Sequence, residues 1–177
     1  VQGMGNITAL FRPDGESGKL TRVESLTDGE AGVVLLDQTP FYGEAGGQMG
    51  DTGTLTGSDF TFLVSDTTKT TGLHLHHGKV DGGTLTIGDP VKAAVYSQRR
   101  DDIRRNHTAT HLLHAALRDE LGEHVTQKGS LVAPDRLRFD FSHHKPVTDV
   151  ELATIENAVV KEIMKNTEIK TVEMPLE

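Results

Sequence analysis

Cysteine is absent from this 177-residue chain, which excludes a disulfide framework and any thiolate metal site built from these residues alone. Tryptophan is absent too, and the aromatic side chains number six Phe and two Tyr. No apolar run approaches the ~20 residues that a membrane-crossing helix needs, so a helical membrane protein is excluded. No signal-peptide pattern, internal repeat or low-complexity tract is present. What remains, 35 % apolar and 25 % charged, is less apolar than average without being the composition of a disordered chain. A chain this long buries roughly 70 % of its unfolded-state surface, enough for a real core. It starts at Val1 and ends on Met174-Pro175-Leu176-Glu177 without a cap or closing element, as expected of a piece of a longer protein.

Charge is distributed unevenly. Residues 1–95 carry 6 Lys+Arg against 12 Asp+Glu, and residues 96–177 carry 12 against 14. An acidic chain is ordinarily a poor nucleic-acid binder. The cations are local, however: Arg99, Arg100, Arg104 and Arg105 in one stretch, then Lys128, Arg136 and Arg138. A polyanion partner for the second half stays open beside the plainer reading, a solvated basic helix end.

The first half reads as β. Short, partly alternating runs cover Ile7–Phe11, Leu20–Leu26, Gly32–Leu36, Phe60–Val64, Leu73–Val80 and Val91–Tyr96, separated by Gly, Asp and Ser-Asp turn signals. Near Ser97 the pattern changes. Arg99–Leu121 has no Gly or Pro and a 3.6-residue period, with Gly122 as its C-cap. Val125–Val132 and Leu137–Phe141 alternate around the turn Ala133-Pro134-Asp135. Thr148-Asp149-Val150-Glu151 fits a capping box opening a helix to about Lys165, with Ile155, Val159 and Ile163 along one face and Leu152 and Val160 beside them. Glu168–Val172 reads as a closing strand. The expected fold is α+β: an N-terminal antiparallel β-barrel over 1–96, then an α-β-β-α-β antiparallel sheet with two helices over 97–177.

The sharpest chemical feature is His107-Thr-Ala-Thr-His111-Leu-Leu-His114 on the first long helix. At i, i+4 the first two imidazoles stand about 40° apart around the axis, and His114 lies about 20° to the other side of His107. Both imidazoles of the pair can reach one metal ion. Thr108 follows His107 where a zincin protease has its Glu, so that general base is missing. Such pairs also arise by chance, as surface or satisfied core histidines. Further ligands must come from His74, His76, His77, His124, His143, His144, carboxylates, or chain not included here.

The stretch Arg105-Asn-His-Thr-Ala-Thr-His-Leu-Leu-His-Ala-Ala-Leu-Arg118, with Gln127-Lys-Gly-Ser130 and Leu137-Arg-Phe-Asp-Phe141, resembles the editing region of alanyl-tRNA synthetases. Upstream, Thr39-Pro-Phe-Tyr-Gly-Glu-Ala-Gly-Gly-Gln-Met-Gly-Asp51 resembles the glycine-rich motif of the barrel that precedes the editing fold there. The resemblance implies hydrolysis of tRNA(Ala) wrongly charged with serine or glycine, since a pocket sized for alanine cannot strongly exclude either. It implies zinc on His107 and His111, with two further ligands in a Cys-Gly-Gly-Thr-His segment absent from this sequence. It places Thr110 against the misacylated amino acid and matches Gln127 and Ser130 to the family's strand. The implied partners are the tRNA(Ala) acceptor end and the rest of the synthetase chain, with neither membrane nor DNA, in the cytoplasm. ATP binding and ligation would belong to the parent enzyme's upstream module.

On this reading zinc positions the substrate or activates water, and hydrogen bonds stabilise the ester oxyanion. No general base is evident. Gln127 and Ser130 are three apart and should face opposite sides of a regular strand, so one needs a bulge or lies outside the pocket. The loop Gly43-Glu-Ala-Gly-Gly-Gln48 either approaches the tRNA closely or is a tight connection between strands. With half of the implied ligands missing, the fragment is expected to be weak or inactive. Two alternatives stand beside this one: a non-catalytic tRNA-positioning module with a structural His pair, and a fragment of a free-standing trans-editing deacylase.

Overall fold

A computed structural model describes residues 1–15, 18–169 and 172. Period-two burial sets the first half. In β9 (Pro90–Val95) Val91, Ala93 and Val95 are buried and Lys92 is exposed. In β6 (Thr61–Thr70) Phe62, Val64 and Thr67 point inward. In β1 (Gln2–Pro13) the inward series runs Gly5, Ile7, then Leu10. That change of phase comes from a bulge between Ile7 and Ala9 against β4 (Ala31–Leu36).

β1 pairs with β9 through its first half and with β4 and β2 (Leu20–Val23) through its second. With β5 (Gly53–Thr56) and β7 (Leu73–Asp81), the order β1-β4-β7-β6-β5-β9 returns to β1 and closes an antiparallel barrel of six strands. Closure removes the open sheet edges that would otherwise invite pairing. A short pair, β3 (Ser25–Thr27) and β8 (Thr84–Thr86), sets Leu26 opposite Leu85 and buries both in the barrel core with Phe62, Leu55, Leu10 and Val91.

The second half follows in the order α1 (Ser97–Leu121), β10 (Gln127–Val132), β11 (Leu137–Phe141), α2 (Asp149–Lys165). α1 ends at Gly122, whose positive φ of 113° favours glycine and whose N–H donates to the Arg118 carbonyl at 2.9 Å. β10 and β11 form a hairpin around Ala133-Pro134-Asp135. α2 opens with the capping box: Glu151 N–H donates to Thr148 Oγ1 and Thr148 N–H donates to the Glu151 carboxylate. That backbone donor, then Lys145, holds the Glu151 carboxyl down at about 2. A second core joins Ala116, Leu117, Val125 and Ile155, with Phe139 and Phe141 from the hairpin packed against it.

The α+β expectation of an antiparallel barrel followed by an α-β-β-α-β unit with two helices is borne out as a class; β5 and β8 were not among the expected strands, and the second half differs in two respects. On α2 the packed residues are Ile155, Ala158 and Val159, whereas Leu152, Val160 and Ile163 are about half exposed. The reason is that α2 packs chiefly on α1, so only one narrow stripe of it is covered. Of the expected closing strand 168–172, Glu168 and Ile169 are not in a strand, and 170–171 lie outside the described residues. No helix among the described residues is long and apolar enough to cross a membrane.

Candidate functional site

α1 carries three differently placed sets of side chains. Ile103, Thr110 and Leu117 are buried, and Ala109 and Leu112 turn towards the end of α2. His107 and His111 stand on a third, open flank. Their Nε2 atoms are 3.3 Å apart and their ring centroids 5.0 Å apart. Two nitrogens each about 2.05 Å from one tetrahedral ion lie about 3.4 Å apart, so the pair has the spacing of two metal ligands. Partial desolvation, and then the neighbouring His111, holds the His107 imidazole below its usual value, which favours the neutral form a metal needs. His114 leaves this flank. Its ring packs on Phe139 at 5.0 Å, and its Nε2 is buried without a hydrogen-bond partner.

Thr110 is buried, and its hydroxyl donates to the Asn106 carbonyl at 2.8 Å. The proton is thus committed within the helix, and the oxygen lone pairs remain for accepting. Asn106 in turn ties α1 to the hairpin: its Nδ2 donates to the Ala133 carbonyl at 2.7 Å and to Pro134 at 3.3 Å. No local pattern in the sequence pointed to that role for Asn106.

Gln127 and Ser130 are brought to one face. Gln127 pairs with Phe141 and Ser130 with Phe139, with a register shift between Gln127 and Gly129. Lys128 is the extra residue of that bulge, and directly paired residues share a face, as Phe139 and Phe141 do at i, i+2. Gln127 is exposed and Ser130 partly buried.

The glycine-rich loop meets this strand. Gly46 and Gly47 have positive φ of 59° and 82°, as in a tight hairpin turn closed by Ala45 and Gln48. Val132 N–H donates to the Gly47 carbonyl at 2.8 Å and Met49 N–H to the Val132 carbonyl at 3.1 Å. A Cβ on Gly47 would stand 2.2 Å from the Ser130 carbonyl oxygen. The close approach that glycine permits at position 47 is therefore made to β10 of the same chain.

Two of the four clustered arginines have the same kind of duty. Arg99 donates to the Gly50 carbonyl at 2.7 Å. Arg100 forks onto the buried Asp51 carboxylate and donates to the Pro40 carbonyl at 3.0 Å, and the Asp51 pairing raises its guanidinium above the usual value. Asp51 also accepts from Tyr42 N–H at 2.6 Å. Arg104 and Arg105 are exposed and pair with Asp101 and Asp102 on their own helix.

Among the other histidines, His74, His76 and His77 lie on β7 in the barrel wall. His76 is fully buried. Its Nδ1–H donates to the Val34 carbonyl at 2.9 Å, and its Nε2 therefore accepts from Thr39 Oγ1 at 2.8 Å. His77 Nε2 bonds Thr68 Oγ1 at 2.8 Å. A concavity of about 670 Å³ runs between α1 and the end of α2 and is lined by none of His107, Thr110, His111, Gln127 or Ser130.

The comparisons with known proteins agree with one another. Residues 6–99, the barrel and the start of α1, match the family described as tRNA synthetases class II (A). The chain is similar along nearly its whole length to proteins named alanine–tRNA ligase. It is 51 % identical over 175 residues to that of Pseudomonas savastanoi pv. phaseolicola, covering 99 % of this chain and 19 % of the relative. With that of Nitrosococcus oceani it shares 51 % over 177 residues, 100 % of this chain and 20 % of the relative. The chain thus spans about one fifth of the length of these relatives. Since the family match takes in more than half of the residues and includes the barrel that the glycine-rich loop joins to β10, the chain belongs to the class II (A) tRNA synthetases.

Proposed function

We propose that this chain is the editing module of an alanine–tRNA ligase, hydrolysing the ester that links serine or glycine to tRNA(Ala) in the cytoplasm. The observation that carries the reading is the 3.3 Å separation of the His107 and His111 Nε2 atoms on the open flank of α1, in a chain half identical to alanine–tRNA ligases. A zinc ion held by the two histidines would supply a fixed positive charge and Lewis acidity beside the ester. Its remaining ligands would come from outside these 177 residues, so the chain by itself deacylates weakly.

The other residues bind and orient. Thr110 Oγ1 accepts the hydroxyl proton of a misattached serine, because its own proton is held by Asn106. Gln127 offers an exposed amide N–H to the ester carbonyl oxygen, where negative charge builds as water adds to the carbonyl carbon. Collapse of the tetrahedral species breaks the acyl–oxygen bond and returns the ribose hydroxyl and the free amino acid. Ser130, held against Gly47, positions the bulged strand.

The test is deacylation of Ser-tRNA(Ala) by the whole ligase carrying His107→Ala and His111→Ala. The expected result is loss of deacylation by about 100-fold or more with tRNA affinity unchanged. Undiminished deacylation, or affinity and deacylation falling together, would instead favour a tRNA-positioning module in which the pair is structural.

A further inference from the structure

Three histidines outside the proposed editing site converge from two loops. His124 lies between α1 and β10, and His143 and His144 lie between β11 and α2. His124 Nε2 and His143 Nδ1 are 2.8 Å apart. The three rings sit with centroids 4.7 to 5.0 Å from one another. One ring nitrogen from each falls within 4.8 Å of the others, and this is the single such group of three found among the described residues. His143 Nε2 is also buried with no hydrogen-bond partner.

We propose that His124, His143 and His144 form a second metal site, taking a divalent transition ion of the zinc, nickel or copper class through three imidazoles. The chemistry of the donor set points there. Neutral imidazole suits these ions, whereas calcium and magnesium prefer oxygen. The 2.8 Å contact between two imidazole nitrogens needs one shared proton. An ion replaces that proton and needs the nitrogens about 3.4 Å apart in a tetrahedral site. Relaxing from 2.8 and at most 4.8 Å to that value asks for sub-ångström to roughly 1.5 Å movements of loop side chains, of which His124 and His144 are exposed.

The backbone is already held for this. Ser142 N–H donates to the Thr126 carbonyl at 3.1 Å, and Ser142 Oγ donates to the His124 carbonyl at 3.3 Å. Ser142, next to His143, thus ties the two loops together beside the cluster, which lowers the ordering cost of binding. The charged groups beside His143 are Lys145 and Glu151, and Lys145 Nζ is paired with Glu151 Oε1 at 2.9 Å, which tempers its repulsion of a cation. A bound ion would staple the start of the hairpin to the lead-in of α2. This inference does not depend on the editing reading, because it uses none of that site's residues.

The experiment is titration of the 177-residue chain carrying His107→Ala and His111→Ala with ZnCl2, followed by calorimetry, and with CoCl2, followed by visible absorption. We expect one equivalent of Zn2+ to bind, a nitrogen-ligated Co2+ spectrum, and a rise in melting temperature with added Zn2+. Adding His124→Ala or His144→Ala, both exposed and outside the core, should weaken binding at least about tenfold while the circular dichroism spectrum stays the same. Absence of stoichiometric binding in the His107/His111 variant would overturn the proposal. So would binding that His124→Ala and His144→Ala leave unchanged. Loss of deacylation on removing His107 and His111 bears on the editing proposal alone.

Discussion

Lowering the pH from 7.5 to 4 should destabilise this fold through one buried group, His76. The ring is fully buried in the barrel wall, edge-on to Phe41 at 5.1 Å, donating to Val34 and accepting from Thr39. Both ring nitrogens are engaged in the neutral form. A second proton would strip Nε2 of its acceptor role and place a charge where solvent does not reach. Burial therefore lowers the imidazole from 6.5 to about 4. A base with a depressed folded-state pKa contributes stability that is complete above the unfolded value. The contribution falls as pH drops from 6.5 towards 4, because only the unfolded chain takes up the proton. From those two values the loss is about 2 kcal/mol at pH 5 and about 3 kcal/mol at pH 4. The assay is urea unfolding at half-unit pH steps for the wild-type chain and for His76→Gln, which keeps one donor and one acceptor. The other histidines contribute to both curves and cancel in the difference. The two should converge by about 2 kcal/mol between pH 7.5 and 5. A difference that stays flat over that range, or a His76 ring that titrates near 6.5 by NMR in the folded protein, would refute the reasoning.

Two further perturbations probe the junction between the barrel and the candidate site. Gly47→Ala should cost about 2 kcal/mol or more, because it combines a positive φ with a collision against the Ser130 carbonyl. Gly46→Ala, with positive φ but open space around it, should cost about 1 kcal/mol; equal melting temperatures for the two would contradict the docked loop. Arg100→Met leaves the Asp51 carboxylate buried without its cation and should cost about 3–5 kcal/mol in chemical denaturation. Arg104→Ala, whose partner Asp101 is also exposed, should fall within about 0.5 kcal/mol of wild type, and a similar loss for both would show that the Asp51 pair carries no special weight.

Much of the fold was legible because its signals are local. The helix over 97–121, the Ala133-Pro134-Asp135 turn and the Thr148–Glu151 capping box each follow from neighbours within one or two turns. The spacing of His107 and His111 is of the same kind, since one helical turn puts both side chains on one flank, from which their rings reach each other. Most strand runs were legible by period two, but the short β5 and β8 fall outside the runs read from the sequence, and a bulge shifts the phase in two others. In β1 the shift near Thr8 moves the inward position to Leu10, and in β10 it restores Gln127 and Ser130 to one face. Alternation suggested that those two residues conflict, but which residue bulges depends on the partner strand.

Contacts across the chain decided the rest. Arg100 and Asp51 are 49 positions apart, and this pairing, with the Arg99 bond to the Gly50 carbonyl, turns two members of a basic cluster into partly buried props for the glycine-rich loop. Gly47 meets Ser130 for a similar reason: Val132 and the loop exchange backbone hydrogen bonds although they are far apart in sequence, and Asn106 of α1 holds the hairpin turn beside them. His74, His76 and His77 look alike in sequence as metal donors. Closure of the barrel commits His76 to Thr39 and Val34, whereas the loops around the second core collect His124, His143 and His144. Residue type and short spacing dictate what a side chain can do, because helical and strand periods are properties of the backbone alone. Whether a given side chain is free to do it depends on long-range closure, since burial and hydrogen-bond partners exist only in the assembled fold.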